Sequence, residues 1–234
     1  MDSTEQYIRE RFEHPKNQSL VVSSLGGSKF IVDCFIEKMG GVDGKTILDA
    51  GCGKGRFTEA LAEAGADYVV GVDPVPMFIE EANNLKNQHF PTEYMCSLTS
   101  EMPLEDGRFD AIICSEVIEH IPHPEKVFEE FKRVLKPGGM LLVFDKQLNA
   151  LHPRYFIPVR IWKWWLEKRN KWMYEANGPF RERWYTPKEL RSILDQFFET
   201  QPATYLSSHT RSEMIFKYLP KWTWYYACWT AVKK

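Results

Sequence analysis

From Lys45 onward the chain alternates short β-branched runs with amphipathic stretches, and this alternation restricts the fold more than any other feature. The runs are Thr46-Ile47-Leu48, Tyr68 to Val72, Phe109 to Cys114 and Met140 to Phe144; between them lie amphipathic stretches such as Phe57 to Ala64 and Glu125 to Leu135. Strands separated by helix-length segments pair in parallel through right-handed crossovers, which predicts an α/β fold with a doubly wound sheet and helices on both faces. In the second stretch Val127, Phe128, Phe131, Val134 and Leu135 make one apolar stripe, and Lys136-Pro137-Gly138-Gly139 ends it and turns the chain into the next strand. Upstream, Ser28 is placed to cap a helix carrying Phe30, Ile31, Cys34, Phe35 and Met39, which Gly40-Gly41 ends. Downstream, Thr186-Pro187-Lys188-Glu189 is a capping box opening a helix from Glu189 to Phe197, and Trp222 to Val232 reads as a final strand.

Length and charge set further bounds. The 234 residues suffice for one such domain and not for two of ordinary size, so 1–234 is read as a single domain. Its parts are a helical cap (1–40), a binding core (45–145), an aromatic and basic insertion (149–185), and a C-terminal helix with strands (186–234). A formal charge of -2 creates no general attraction to nucleic acid or to an anionic membrane, so any basic surface is local. The five cysteines, Cys34, Cys52, Cys96, Cys114 and Cys228, form no CxxC pair and suit a reducing cytoplasm. The N-terminus lacks the apolar run of a signal peptide, and no stretch of about 18 apolar residues is long enough to span a bilayer.

The most informative segment is Ile47-Leu48-Asp49-Ala50-Gly51-Cys52-Gly53-Lys54-Gly55-Arg56-Phe57, an apolar strand running into a glycine-rich turn that opens a helix. Such a turn lets backbone approach a ligand closely. A dinucleotide fingerprint would place a third glycine where Arg56 stands and an apolar residue where Asp49 stands, which disfavours an NAD-dependent oxidoreductase. A carboxylate at that strand end suits a cationic ligand tail. The next strand ends in Val72-Asp73-Pro74, and an acidic residue about 20 positions after the turn is placed to accept hydrogen bonds from both hydroxyls of a ribose.

DAGCGKG, VVGVDP, FDAIICSEVIEHI and RVLKPGG, in this order, resemble the successive motifs of class I S-adenosylmethionine (SAM) dependent methyltransferases of the type 11, ubiquinone-biosynthesis-like group. The resemblance covers roughly residues 45–145. It implies a Rossmann-like, doubly wound, seven-stranded sheet whose last strand is antiparallel, with SAM as cofactor and S-adenosylhomocysteine (SAH) as product. It also implies that Asp49 and the backbone of Gly51, Cys52, Gly53 and Gly55 hold the methionine end. Asp73, with Pro74 after it, would hold the ribose, Met77, Ser97 and Leu98 the adenine, and Ser115 would line the site beside the methyl group. Ser97 departs from the many relatives that carry Asp there.

A sulfonium is already an activated methyl donor, so such a protein chiefly aligns an acceptor atom and excludes water. An acceptor hydroxyl would need a base, for which His120, after the fourth strand, and His209 are the candidates. Glu116, Glu119 and His120 also form ExxEH, which resembles a divalent-metal motif proposed for ubiquinone-type O-methyltransferases and for small-RNA 3′-end methyltransferases; the reading without a metal stands beside it.

In the insertion a helix is expected from Pro158 to about Tyr174, burying Ile161, Trp165 and Trp172 and leaving Arg154, Arg160, Lys163, Lys168, Arg169 and Lys171 solvated. It reads as a lid over a small-molecule, glycan or lipid-linked acceptor, most simply for O-methylation. Its Trp and Tyr among Lys and Arg also suit peripheral contact with anionic lipid through 154–174. Nucleic acid fits less well, because the chain is not basic and has no NPPY motif. A SAM-binding protein without catalysis remains the alternative class, and the motifs leave the oligomeric state open.

Overall fold

A computed structural model describes residues 10, 12–13, 21–152, 155–169, 182–206 and 218–234. The strands are β1 (Thr46–Ala50), β2 (Tyr68–Asp73), β3 (Thr92–Cys96), β4 (Phe109–Ser115), β5 (Leu135–Lys146), β6 (Glu199–Thr200), β7 (Thr204–Leu206) and β8 (Tyr226–Val232). The helices are α1 (Lys29–Met39), α2 (Arg56–Glu63), α3 (Pro76–Leu85), α4 (Pro124–Val134), α5 (Val159–Lys168) and α6 (Pro187–Leu194). They build one sheet in the order β3-β2-β1-β4-β5-β8-β6, with β7 also paired to β8. β1 to β5 are parallel, and β8 runs antiparallel to β5.

Why the sheet is covered on both faces is visible in successive residues. Leu48, Val70, Ile112 and Leu141 point into one apolar cluster with Phe128 and Phe131 of α4. Their preceding or following neighbours Ile47, Val69, Ile113 and Leu142 point into the other, with Phe35 of α1 and Leu61 of α2. A strand buried on both faces reads as a continuous apolar run, and the period of two assigns alternate residues to opposite layers. Trp229 of β8 is fully buried, and its indole N–H donates to Pro187 O at 3.0 Å, fastening the antiparallel strand to α6. The capping box is present: Glu189 N donates to Thr186 Oγ1 at 3.2 Å, and Thr186 N to Glu189 Oε2 at 2.8 Å.

Several expectations are corrected. The sheet has eight strands because its edge position beyond β8 is split: β6 and β7 both pair β8, and between them Pro202 has no N–H to give a ladder. β5 begins at Leu135, since Lys136 to Gly139 loop out where the register jumps from Phe109↔Leu135 to Ala111↔Met140. Ser28 makes no side-chain cap; it closes a 3-10 turn (Gly26–Ser28), and its Oγ accepts from Arg56 NH1 at 3.3 Å. The last strand starts at Tyr226, after a 3-10 turn at Lys221–Thr223.

The largest correction concerns α5. Its buried residues are Val159 and Lys163, whereas Ile161 and Trp165 are 57% and 42% exposed. The helix docks through Val159 onto Ala150 and Trp184. Lys163 follows Val159 by one turn and is drawn inward by Glu167 and by Glu182 O, which accepts from its Nζ at 3.0 Å. The apolar stripe seen in the sequence therefore faces outward. Arg154, Lys171, Trp172 and the expected helix end near Tyr174 lie outside the described residues.

Candidate functional site

The carboxyl ends of β1, β2, β4 and β5 come together on one edge. Ala50 pairs with Val72, Asp49 with Ile113 and Ser115 with Phe144, so the first residues beyond β1 stand beside Asp73 on one side and Ser115 on the other. In open α/β sheets this edge, where the crossovers diverge to opposite faces, is where ligands bind. A cavity of about 320 Å³ lies there, within the range of small-molecule sites.

One wall is the turn between β1 and α2. Gly51 N donates to Val72 O at 2.7 Å, and Gly53 N to Asp73 Oδ2 at 2.9 Å. Gly51 has φ +79°, and a Cβ there would fall 2.2 Å from Val117 Cγ2. Gly55, at φ +84°, has the Tyr94 hydroxyl where its Cβ would be. Only glycine allows this backbone and these approaches. The other oxygen of Asp73 accepts from Val75 N at 2.9 Å, which fixes the carboxylate at the cavity wall; burial pushes it up to about 6.

Gly51, Cys52, Gly53, Asp73, Pro74, Leu98 and Ser115 line the cavity. Asp49, Gly55, Met77 and Ser97 do not. Asp49 is buried beneath the turn, where its Oδ2 accepts from Thr58 Oγ1 at 2.7 Å and burial raises it to about 6. Ser97 Oγ donates to Glu101 O at 2.8 Å; the neighbours Val75, Phe78 and Thr99 supply that wall. Ser115 Oγ is buried at the cavity with no hydrogen-bond partner among the described residues. That orphaned hydroxyl, the fixed Asp73 carboxylate and the turn that no Cβ would fit are the features a polar nucleoside ligand such as SAM needs.

Beyond Ser115 the chain turns sharply. Glu116 has φ +56°, an uncommon left-handed backbone for a residue with a Cβ, and its carboxylate meets Lys146 at the end of β5. Lys146 Nζ lies 2.7 Å from Glu116 Oε1 and 2.7 Å from Glu119 Oε1, and Arg56 NH2 lies 3.6 Å from Glu116 Oε2. Glu119 N donates to Asp145 Oδ2 at 3.2 Å. His120 Nε2 lies 3.5 Å from Glu119 Oε1, and its ring stands edge-on to Phe12 at 5.4 Å. Glu182, just before Trp184, completes the group; its Oε1 accepts from Trp184 Nε1 at 2.7 Å. Glu119, His120 and Glu182 have donor atoms within 4.8 Å of one another.

So many acids in one place share few cations. Burial, followed by the charge of Asp145, pushes Glu119 up to about 8. Burial raises Asp145 and Glu182 to about 7 each. Glu116 is held below its ordinary value because the Lys146 ammonium outweighs burial.

The structure thus gathers Asp73, Ser115, Glu116, Glu119 and His120 around one cavity, while His209 lies outside the described residues. Sequence reasoning missed Lys146, Asp145 and Glu182. The pair Asp145-Lys146 at the end of an apolar run was the available signal, since charges there fall on the ligand-binding edge. Nothing local marked Glu182.

A family model described as a methyltransferase domain matches residues 48–143. The chain is 38% identical over 126 residues to a ubiquinone biosynthesis O-methyltransferase of Coxiella burnetii (strain Dugway 5J108-111), an alignment covering 53% of each protein. It is 36% identical over 130 residues to that of Chromobacterium violaceum, again covering 53% of each. The chain therefore spans about half the length of the curated relatives it matches. Among solved structures, magnesium protoporphyrin IX methyltransferase from Synechocystis PCC 6803 with bound SAH superposes with a TM-score of 0.69 at 18% identity, covering 99% of this chain and 100% of that one. A putative methyltransferase in complex with the Haloferax volcanii Trm112 activator gives 0.70 at 17% identity, covering 97% of each. Residues 48–143 of this chain therefore match the methyltransferase-domain family model, and the chain as described has the fold of these solved methyltransferase structures.

Proposed function

We propose that this chain is a SAM-dependent methyltransferase that methylates a hydroxyl oxygen of a small-molecule, glycan or lipid-linked acceptor. The observation that carries the reading is the cavity's two ends. Asp73 lies on β2 and Ser115 on β4, two inter-strand steps or about 10 Å apart, with the acid–imidazole group just beyond. One end suits a nucleoside and the other a reacting hydroxyl.

Bound SAM supplies an activated methyl group on a sulfonium. Asp73 would accept from the ribose hydroxyls, and the backbone of Gly51 to Gly53 would face the methionine tail. Asp49 acts from behind the turn, through its bond to Thr58, by adding negative potential toward a cationic ligand. Val75, Phe78 and Leu98 would wall the adenine; Met77 and Ser97 are not part of the cavity lining. His120, held next to Glu119, takes the proton that the acceptor hydroxyl gives up.

The exposed face of α5 and its flanks support the finer part of the proposal, a membrane-associated acceptor. Eight of the ten exposed large apolar side chains among the described residues fall on 155–165 and 218–222, beside the cations Arg160, Lys168, Arg169 and Lys221. Lys168 sits over Trp164 and Arg169 over Trp165, at 5.1 Å and 4.2 Å from the ring centres. No helix of the described residues is long and apolar enough to cross a membrane, so the contact proposed is peripheral, with anionic headgroups. Cys34, Cys52, Cys114 and Cys228 are buried as thiols, which supports a cytoplasmic setting.

The test is SAH release from SAM with a panel of phenolic, sugar and lipid-linked hydroxyl acceptors. Turnover with at least one class is expected. SAH binding with no turnover across the panel would leave a binding protein, and NAD(H) binding in place of SAH would overturn the reading.

A further inference from the structure

Glu116 and Glu119 both reach a single atom, the Nζ of Lys146, which is 2.7 Å from one oxygen of each. Lys146 ends β5 two residues past Phe144, the partner of Ser115, so its ammonium overhangs the far end of the cavity from Asp73. Three inter-strand steps separate β2 from β5, about 14 Å. The ammonium donates to Glu119 Oε1 and is ion-paired with Glu116; no further hydrogen-bond acceptor meets it among the described residues, and the Trp184 ring centre lies 5.8 Å away.

The ExxEH string would have these glutamates bind a divalent ion, and the residues present do not fit one there. A divalent metal of the magnesium type draws carboxylate oxygens to about 2.1 Å and needs several free ligand positions around it. Here the space between Glu116 and Glu119 is filled by a hydrogen-bonded point charge that the chain carries itself. Glu116 is engaged on its other oxygen too, 3.6 Å from Arg56. The alternative donor set, Glu119, His120 and Glu182, shares Glu119 with Lys146, so a dication on it would sit beside a fixed ammonium.

We propose that Lys146 is the resident cation of this site: it stands where the motif's divalent ion would bind, and its remaining N–H holds the acceptor oxygen for methyl transfer. The second half rests on the methyltransferase reading, whereas the first half does not. Removing Lys146 opens the position between the two glutamates and removes the repulsion against a dication, so the variant gains a metal site that the natural chain lacks.

The experiment is a Mn²⁺ titration followed by electron paramagnetic resonance, with SAH calorimetry on the same samples. The natural chain is expected to leave Mn²⁺ free up to about 1 mM, and Lys146→Ala to take up about one equivalent. Adding Glu119→Gln to Lys146→Ala is expected to abolish that uptake. Uptake of about one equivalent by the natural chain overturns the proposal without any variant, which keeps it testable if Lys146→Ala does not fold. So does a folded Lys146→Ala that takes up none. With an acceptor that turns over, Lys146→Ala is expected to lower kcat/KM by about tenfold or more while SAH affinity changes less than about threefold. An unchanged kcat/KM removes the acceptor role. Absence of SAH binding in the natural chain would count against the methyltransferase reading and leave the Mn²⁺ result standing.

Discussion

Five buried carboxyls give the protein an inverted response to pH. Glu119 is raised to about 8, Asp145 and Glu182 to about 7, and Asp49 and Asp73 to about 6, with burial the first cause in each. In the unfolded chain such groups titrate near 4, so between roughly pH 4 and pH 8 the folded state binds more protons than the unfolded one. A raised carboxyl makes folding less favourable as pH climbs, so stability falls through this window. Each excess proton contributes about 1.4 kcal/mol per pH unit. Glu119, Asp145 and Glu182 titrate as a coupled group, and counting them as one to two protons gives about 2–4 kcal/mol between about pH 5.5 and 7.0. The lowered acids, Glu116, Asp110, Glu130 and Glu189, oppose this only where they protonate, below their ordinary values. For a chain of this length the expected gain in Tm on acidification is about 5–15 °C. Urea unfolding and thermal melts across this window, in one buffer series at fixed ionic strength, measure it directly. A Tm that is flat, or that rises with pH over the same range, would refute the buried acidic cluster.

Three further outcomes follow from single contacts. Gly51→Ala places a Cβ at φ +79° and 2.2 Å from Val117 Cγ2, so unfolding free energy is expected to drop by at least about 2 kcal/mol. Val117→Ala in the same chain should recover the steric part of that loss but not the backbone part. Thr58→Val removes the 2.7 Å hydrogen bond to Asp49 and is expected to cost about 1–3 kcal/mol, more at about pH 8 than at about pH 5.5, where Asp49 is protonated; equal losses would contradict this. Replacing Trp164 and Trp165 together by Ser is expected to weaken binding to anionic vesicles about tenfold or more while leaving SAH affinity unchanged. Vesicle sedimentation that does not distinguish this variant from the natural chain, or anionic from zwitterionic lipid, would remove the membrane contact.

What the sequence made legible was set by periodicity and by backbone demands. Ile47 and Leu48 had to face opposite layers because alternate residues of a strand do, and the turn after them had to carry glycines because Val117 and Tyr94 occupy the Cβ positions. Asp73 was placed by its offset from that turn. The buried face of α5 was not legible because a stripe of Ile161, Trp165 and Trp172 looks like any buried face, and only the third dimension supplies Glu182 O and Glu167 to pull Lys163 inward. For the same reason the cation between Glu116 and Glu119 was invisible: Lys146 is 27 residues from Glu119 and reaches it only because β4 and β5 are neighbours. The split edge strand turned on Pro202, a residue whose missing N–H matters only once its partner strand is known.

The claim on which the account depends is that Asp73 and the adjoining turn bind the nucleoside. Calorimetric titration of SAH into the natural chain and into Asp73→Ala tests it. The natural chain should release measurable heat and saturate near one equivalent, and the variant, still folded by circular dichroism, should bind about a hundredfold more weakly or worse, as losing two proposed charge-assisted hydrogen bonds to the ribose requires. No heat from the well-folded natural chain, or equal affinities for the two proteins, would contradict it.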